Sequence, residues 1–218
     1  MNFISIFTNI EWILSFAFTI YTAYYAIIFI FSFKSIEKRV DYDPKNTFAI
    51  IIAARNEEQV IGNLIESLKD QNYPKNMYDI IVIPNNCTDS TDEIARSKGA
   101  TVIDCSLPIR SKGDVLSFAF DKILNEHDKY DAFCVVDADN LVHPDFLRKM
   151  NSALCSGVKV GQGYRDSKNP YDTIISSCYS IYYWMVNRLH NHARSSIGLS
   201  AMVNGSGFMV SADILREM

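Results

Sequence analysis

Proteins stapled by disulfides, or folded around zinc, space their cysteines in short regular pairs, and this chain does not. Cys87, Cys105, Cys134, Cys155 and Cys178 are odd in number and widely separated, with no Cys-x-x-Cys among them. That pattern fits reduced thiols in a cytosolic domain rather than a disulfide framework or a zinc centre. Positive charge is also scarce: the net charge is −4, so the chain lacks the basic field of a nucleic-acid binder and no such partner is expected. No Gly-x-Gly-x-x-Gly follows the first predicted strand, which argues against a dinucleotide fold of the usual fingerprint. Internal repeats and low-complexity stretches are absent. The first ten residues hold neither Lys nor Arg, so the apolar run that follows does not begin as a cleaved signal peptide does.

That run is the first thing the chain has in abundance. From Ile10 to Phe33 the only charge is Glu11, and about 20 apolar residues suffice to cross a bilayer. Tyr21, Tyr24 and Tyr25 make the span less greasy without preventing insertion. Lys34, Lys38 and Arg39 follow at once, and positive flanks stay in the cytoplasm. The organisation expected is a transmembrane anchor over residues 1–33, a juxtamembrane linker over 34–46 and a cytoplasmic domain over 47–218, placing the protein at the cell membrane.

Beyond the linker a strand–helix rhythm begins. Thr47–Ala53 reads as a buried strand, and Val60, Ile61, Leu64, Ile65 and Leu68 recur at helical spacing, predicting a helix over roughly 57–70. Asp79–Ile83 is a second strand. A short helix over 89–98, capped by Asp89 or Ser90, leads to a third strand at Thr101–Asp104. Val115, Leu116, Ala119, Phe120 and Ile123 mark another helix, followed by a strand ending at Asp137 and a helix beginning after Pro144. This alternation predicts an α/β fold with a mostly parallel sheet covered by helices on both faces. After about residue 165 the pattern changes to an aromatic stretch with Tyr179, Tyr182, Tyr183 and Trp184, then Arg188, His190, His192 and Arg194. Aromatic bodies beside cations suit a helix at a membrane surface; a buried aromatic helix completing the core is an equal alternative. His190 and His192 are spaced for one face of a strand and read as ordinary histidines.

Polar clusters stand at the ends of the predicted strands. Ala53-Ala54-Arg55-Asn56-Glu57-Glu58 follows the first, and Asn85-Asn86-Cys87-Thr88-Asp89 the second; Arg110-Ser111-Lys112-Gly113 opens a helix, and Asp137-Ala138-Asp139 closes a strand. Two acids one residue apart at a strand end project the same way and can hold a hard divalent cation through oxygen, with a diphosphate completing the shell. Ligands of open α/β sheets gather past the carboxyl ends of the strands, where this pair would sit. Each cluster alone has an ordinary explanation, as helix-start acids, turn asparagines or a solvated helix start. In this order they describe a pocket for a polar anionic ligand.

With these motifs, and with Asn204-Gly205-Ser206-Gly207-Phe208, the sequence resembles the inverting family-two glycosyltransferases, which include cellulose-synthase-like membrane enzymes. The resemblance covers about residues 47–211. It implies a glycosyltransferase A-type, Rossmann-like fold that binds a nucleotide-diphosphate sugar, a UDP-sugar above all, with Mg²⁺ or Mn²⁺, and transfers the sugar to a lipid or polysaccharide acceptor. By motif position Ala53, Glu57 and Asn85 would line the nucleoside side, with Lys112 nearby, and Arg55 and Asp89 would belong to the same cofactor-binding set. Asp137 would approach the ribose or metal, Asp139 would be the metal ligand proper, and Gly205-Ser206-Gly207 would form part of the acceptor wall. Family members often carry Asp where this chain has Asn85, whose amide oxygen can still accept a hydrogen bond.

Inverting transfer needs a carboxylate to deprotonate the acceptor hydroxyl. In the family that acid lies beyond the Gly-Ser-Gly segment, so the general base is expected past Met218, and the chain as written is expected to bind donor without transferring sugar at an enzymatic rate. Asp213 and Glu217 are the acids that follow Gly207. Two other readings compete: a nucleotide-sugar-binding protein without the chemistry, and a nucleotidyltransferase, which shares the sheet and the acid pair. The Arg55–Glu58 turn, in place of a Gly-rich phosphate loop, counts against the second.

Overall fold

A computed structural model describes residues 3–35, 40–105, 111–126 and 129–217. Lys38, Arg39, Arg110 and Met218, which figure in the sequence reading, lie outside these residues. The chain forms two compact units, Met1–Glu37 with Arg165–Met202, and Lys38–Tyr164 with Val203–Met218.

The second unit is built on a strand with no polar side chain. In β1 (Phe48–Ala54) every residue except Ala53 is buried, and its side chains alternate between two cores. Phe48, Ile50, Ile52 and Ala54 pack with α2 (Ile61–Lys69) and α5 (Phe146–Cys155). Ala49 and Ile51 pack with α4 (Lys112–Glu126). A strand buried on both faces must be central, since an edge would leave its backbone groups without partners. β1 accordingly pairs in parallel with β2 (Tyr78–Pro84) on one side and β4 (Ala132–Val135) on the other. With β3 (Thr101–Val102), β5 (Val160–Gln162) and β6 (Phe208–Ser211) the sheet order is β3-β2-β1-β4-β6-β5. β6 runs antiparallel to both its neighbours, so the sheet is mostly parallel, as the alternation of elements implies.

Three boundaries move from their expected places. The helix expected from about residue 57 begins at Ile61, because the Glu57 carbonyl accepts from Val60 and Ile61 in a preceding turn while the Glu57 and Glu58 amides bind the neighbouring loop. β3 is only two residues long, with its pairing prolonged by one bond from Ile103 N–H to the Val82 carbonyl (3.0 Å). β4 stops at Val135, so Asp137 and Asp139 sit in a turn closed by Asn140 N–H on the Asp137 carbonyl (3.1 Å). The period-of-two argument for the acid pair therefore does not apply as a strand rule. The turn still buries Ala138 and leaves its two acidic neighbours toward solvent.

The first unit contains α1 (Phe3–Phe31) and a helical rod running through α6 (Ile174–Met185), a π-helical segment (Val186–His192) and α7 (Ala193–Ser195). Over Ile6–Phe31 α1 has mean hydropathy 1.9 with almost none of its surface buried, which makes it long and apolar enough to cross a membrane. The π-helical segment and α7 pack on α1. Lys34 Nζ donates to the Ser196 carbonyl (3.1 Å), Arg194 bonds the Tyr24 hydroxyl, and His192 Nε2 meets the Lys34 carbonyl (2.9 Å). His190 and His192 thus lie in a helical stretch, not on a strand face. α6 has no buried residue, which overturns the alternative of a buried aromatic helix.

Close approach of β5 to the loop before β6 makes Gly163 irreplaceable. A Cβ there would stand 2.9 Å from the Gly207 carbonyl and 3.1 Å from the Phe146 ring. Overpacking of this kind costs about 1–3 kcal/mol, so Gly163→Ala should lower the urea midpoint of the detergent-solubilised chain accordingly. An unchanged midpoint would mean that the Gly207 loop moves freely.

Candidate functional site

Parallel pairing brings the loops after β1, β2 and β4 to one end of the sheet. The first two are clasped together. Asn85 N–H donates to the Ala54 carbonyl (2.9 Å), and the Asn56 side-chain oxygen accepts from Thr88 N–H (2.8 Å). Asp89 accepts from Glu58 N–H (3.1 Å), from Thr91 N–H (3.1 Å) and from the Thr91 hydroxyl (2.6 Å). That hydroxyl in turn accepts from Glu57 N–H (2.8 Å), and Ser90 N–H binds Glu58 (3.1 Å). Asn56 and Asn86 adopt φ of 55° and 50°, a left-handed conformation that Asn tolerates better than other side chains. The Thr91 hydroxyl above all, with the backbone amides behind it, holds the Asp89 carboxyl below the usual carboxylate range. Asp89 is thereby engaged in fixing the two loops, while Glu57, half-buried, is carried to the sheet end by the same bonds.

The acid turn after β4 is fixed from the other side. Ser206, buried, accepts from Asp137 N–H (2.9 Å) and from the Asn140 amide (2.8 Å). Gln162 at the end of β5 holds the Ser206 loop at both ends: its amide donates to the Ser206 (3.0 Å) and Gly207 (3.2 Å) carbonyls, and its oxygen accepts from Asn204 N–H (2.8 Å). Gly207, at φ +67°, donates to the Val135 carbonyl (2.8 Å), a backbone path that a side chain would strain. Lys112, at the start of α4, bonds the Asp137 carboxylate and donates to the Gly205 carbonyl (2.6 Å). It stands against the acid turn and the Gly205 loop, a placement more specific than the nucleoside neighbourhood expected of it.

Glu57, Asp137 and Asp139 form one electrostatic group across the two sides. Partial burial of Glu57, with the negative charge of Asp139, then Asp89 and Asp137, raises its carboxyl above the ordinary range. Among the described residues no three His, Cys, Asp or Glu side chains converge as a metal-holding cluster. An acid pair that supplies two oxygens and leaves the rest of a shell to water and phosphate fits a hard divalent cation. Ala53 and Asn85 line the β1 and β2 side, half-buried, and Arg55 is exposed at the tip of the first loop. The Asn85 side-chain oxygen accepts from Asn86 (2.8 Å). Ser206 lay within a quoted motif, but Gln162 carried no sequence signal beyond being a polar residue at a strand end.

Asp213 and Glu217 do not reach this group. β6 runs away from it, pairing Phe208 with Val135 and Ser211 with Ala132, so α8 (Ala212–Arg216) begins at the opposite end of the sheet. At about 3.3 Å per strand residue this is on the order of 15 Å from the acid turn. Asp213 is paired there with Lys159. A cleft of about 400 Å³ beside Asp79, Thr101, Lys129 and Tyr130 opens at that same far end and is separate from the acidic group.

A family model described as "Glycosyltransferase like family 2" matches residues 44–218. The chain belongs to this family. Over 67 residues it is 45% identical to 4,4'-diaponeurosporenoate glycosyltransferase of Staphylococcus aureus (strain USA300), a match covering 31% of this chain and 17% of that protein. Mannosyltransferase PcManGT from Pyrobaculum calidifontis, solved with GDP-Man and Mn²⁺, superposes with a TM-score of 0.68 at 19% identity, over 90% of this chain and 53% of that one. Glucosyl-3-phosphoglycerate synthase from Mycobacterium tuberculosis, solved with UDP, gives 0.52 at 19% identity over 78% of this chain and 58% of that one. TarS of S. aureus with UDP-GlcNAc gives 0.52 at 16% identity over 78% and 47%. The chain thus spans about half the length of these solved proteins, and at such identities the superpositions speak to the fold, which is the glycosyltransferase A-type.

The crowding of acids gives a pH signature. A carboxyl whose folded pKa is raised costs stability once pH climbs from its ordinary 4.5 through the raised value, and costs nothing below 4.5, where it is protonated in both states. Glu57→Gln is therefore expected to raise the melting temperature of the metal-free protein at about pH 7 and to leave it unchanged at about pH 4. A gain of equal size at both values would show that neither burial nor the neighbouring acids raise the Glu57 carboxyl.

Proposed function

We propose that this chain is the donor-binding part of a membrane-anchored glycosyltransferase, which takes a nucleotide-diphosphate sugar with Mg²⁺ or Mn²⁺ and passes the sugar with inversion to a lipid or polysaccharide acceptor. The observation that carries this is the meeting of Glu57, Asp137, Asp139 and Lys112 at the carboxyl end of the parallel strands, where such folds bind their ligands. Asp137 and Asp139 would hold the cation, which stabilises charge building on the departing diphosphate. Lys112 now neutralises Asp137; once that carboxylate turns to a cation, its ammonium is free for a phosphate oxygen. Ala53, Arg55, Glu57, Asn85 and Asp89 surround the nucleoside side, with Asp89 acting through the loops it fixes. Solved relatives carry either GDP-Man or UDP-GlcNAc, and Asn85 is the residue of this chain placed to choose between bases, with UDP favoured. α1 supports anchoring, and its following Lys34 supports a cytoplasmic domain.

Titration calorimetry should show UDP binding that needs Mn²⁺ and is lost in Asp139→Ala. Equal affinity in the presence of a chelator would remove the cation from the reading. In the same assay Asn85→Asp should shift the preference between UDP and GDP; an unaltered ratio would take Asn85 out of base contact.

A further inference from the structure

Helix α6 is turned inside out. Ile174, Ile175, Cys178, Tyr182 and Met185 recur at spacings of three and four within the helix, which puts them on one stripe. In a water-soluble protein that stripe would face a core, but here it is open: Ile174 is 84%, Ile175 70% and Tyr182 53% exposed. The opposite face, with Ser176, Ser177, Ser180 and Tyr183, is the half-covered one. Ser180 donates to Asp166 (2.7 Å), Ser177 to the Pro170 carbonyl (2.6 Å), and Arg165 lies 5.2 Å from the Tyr183 ring centre. The unit spends its internal contacts on the polar face and presents the apolar one.

What covers that stripe is indicated by where the rod is fastened. The segment after α6 packs on α1 at its carboxyl end, through Tyr24 and Lys34, which is where a span over Ile6–Phe31 leaves the membrane. α6 has no comparable packing on α1, and its stripe stays uncovered. Thr173–Met202 contains no Asp or Glu and carries Arg188 and Arg194, a charge pattern complementary to lipid phosphates. Tyr and Ile on one face, with cations following, are the composition of a helix seated at the boundary of headgroups and acyl chains.

We propose that α6 lies in the lipid–water interface of the bilayer that α1 crosses, with the Ile174–Met185 stripe immersed. This rests on reading α1 as a membrane span, and the test separates the two. The protein has two tryptophans, Trp12 in α1 and Trp184 in α6. The full chain is reconstituted into vesicles of phosphatidylcholine and phosphatidylglycerol with acyl chains brominated near the headgroup or near the bilayer centre. Trp184→Phe leaves Trp12 to report on α1. Trp12→Phe/Trp184→Phe/Tyr182→Trp places the sole reporter in the stripe. The expected result is strong quenching of the stripe reporter by shallow bromines with little by aqueous iodide, beside bromine quenching of Trp12. Adding Ile174→Ser/Ile175→Ser should reduce quenching at position 182 and leave that of Trp12 unchanged. If Trp12 is quenched by bromine while position 182 answers only to iodide, the interfacial helix is refuted and the span stands. A position 182 shielded from both quenchers would mean that protein, such as a second copy, covers the stripe, and would also overturn the proposal. Absence of bromine quenching at both sites would sink the span and the inference together.

Discussion

Burial of β1 on both faces is the constraint from which the rest of the sheet unit follows. Seven residues without a polar side chain cannot sit at an edge, so β2 and β4 must flank them, and both must run parallel because helices return the chain over the faces. Once that is set, the loops after three strands have to emerge at one end. The residues that make up the candidate site are spread from Ala53 to Gly207 in sequence, and the register of β1 brings them together.

The site itself is a balance between negative charge and the structure that restrains it. Three side chains that repel one another, Glu57, Asp137 and Asp139, are carried on two separately fastened supports. On one side the Asp89–Thr91 bonds tie the β1 and β2 loops. On the other, Ser206 and Gln162 hold the acid turn from below. Lys112 supplies a positive charge within the group. Loops that are rigidly held before a ligand arrives spare binding the cost of ordering them. On the proposed reading, an anionic diphosphate and a cation together would complete the charge arrangement that the protein alone leaves acidic.

The fold was legible because its signals are local and redundant. Apolar runs, helical spacing and turn residues all alternate in step, and each expected strand of the parallel core appears within a few residues of its place. The motif residues Glu57, Asn85, Asp137 and Asp139 were legible for the same reason, standing where strands end. What could not be read is what long-range geometry decides. Nothing local told that the Thr91 hydroxyl would receive an amide from Glu57, that Gln162 would brace Ser206, or that Lys112 would face Asp137 across the fold. The composition of α6 named two environments equally well, and only its exposure separated them. The acid turn shows a subtler failure: the pair is set apart from its buried neighbour as alternation suggests, but by a turn and not by a strand.

Arg165–Met202 enters the chain between two strands that are hydrogen-bonded to each other, β5 and β6, and Gln162 opposite Phe208 marks where it leaves and returns. Its ends are pinned by the sheet whatever lies between them. The entropy of closing such a loop grows only with the logarithm of its length, so evolution could lengthen, shorten or exchange this stretch at little expense to the sheet. In evolutionary terms the excursion is a cassette. The fold can keep one sheet while it tries many excursions, and variation within the family should concentrate there more than in the strands that frame it.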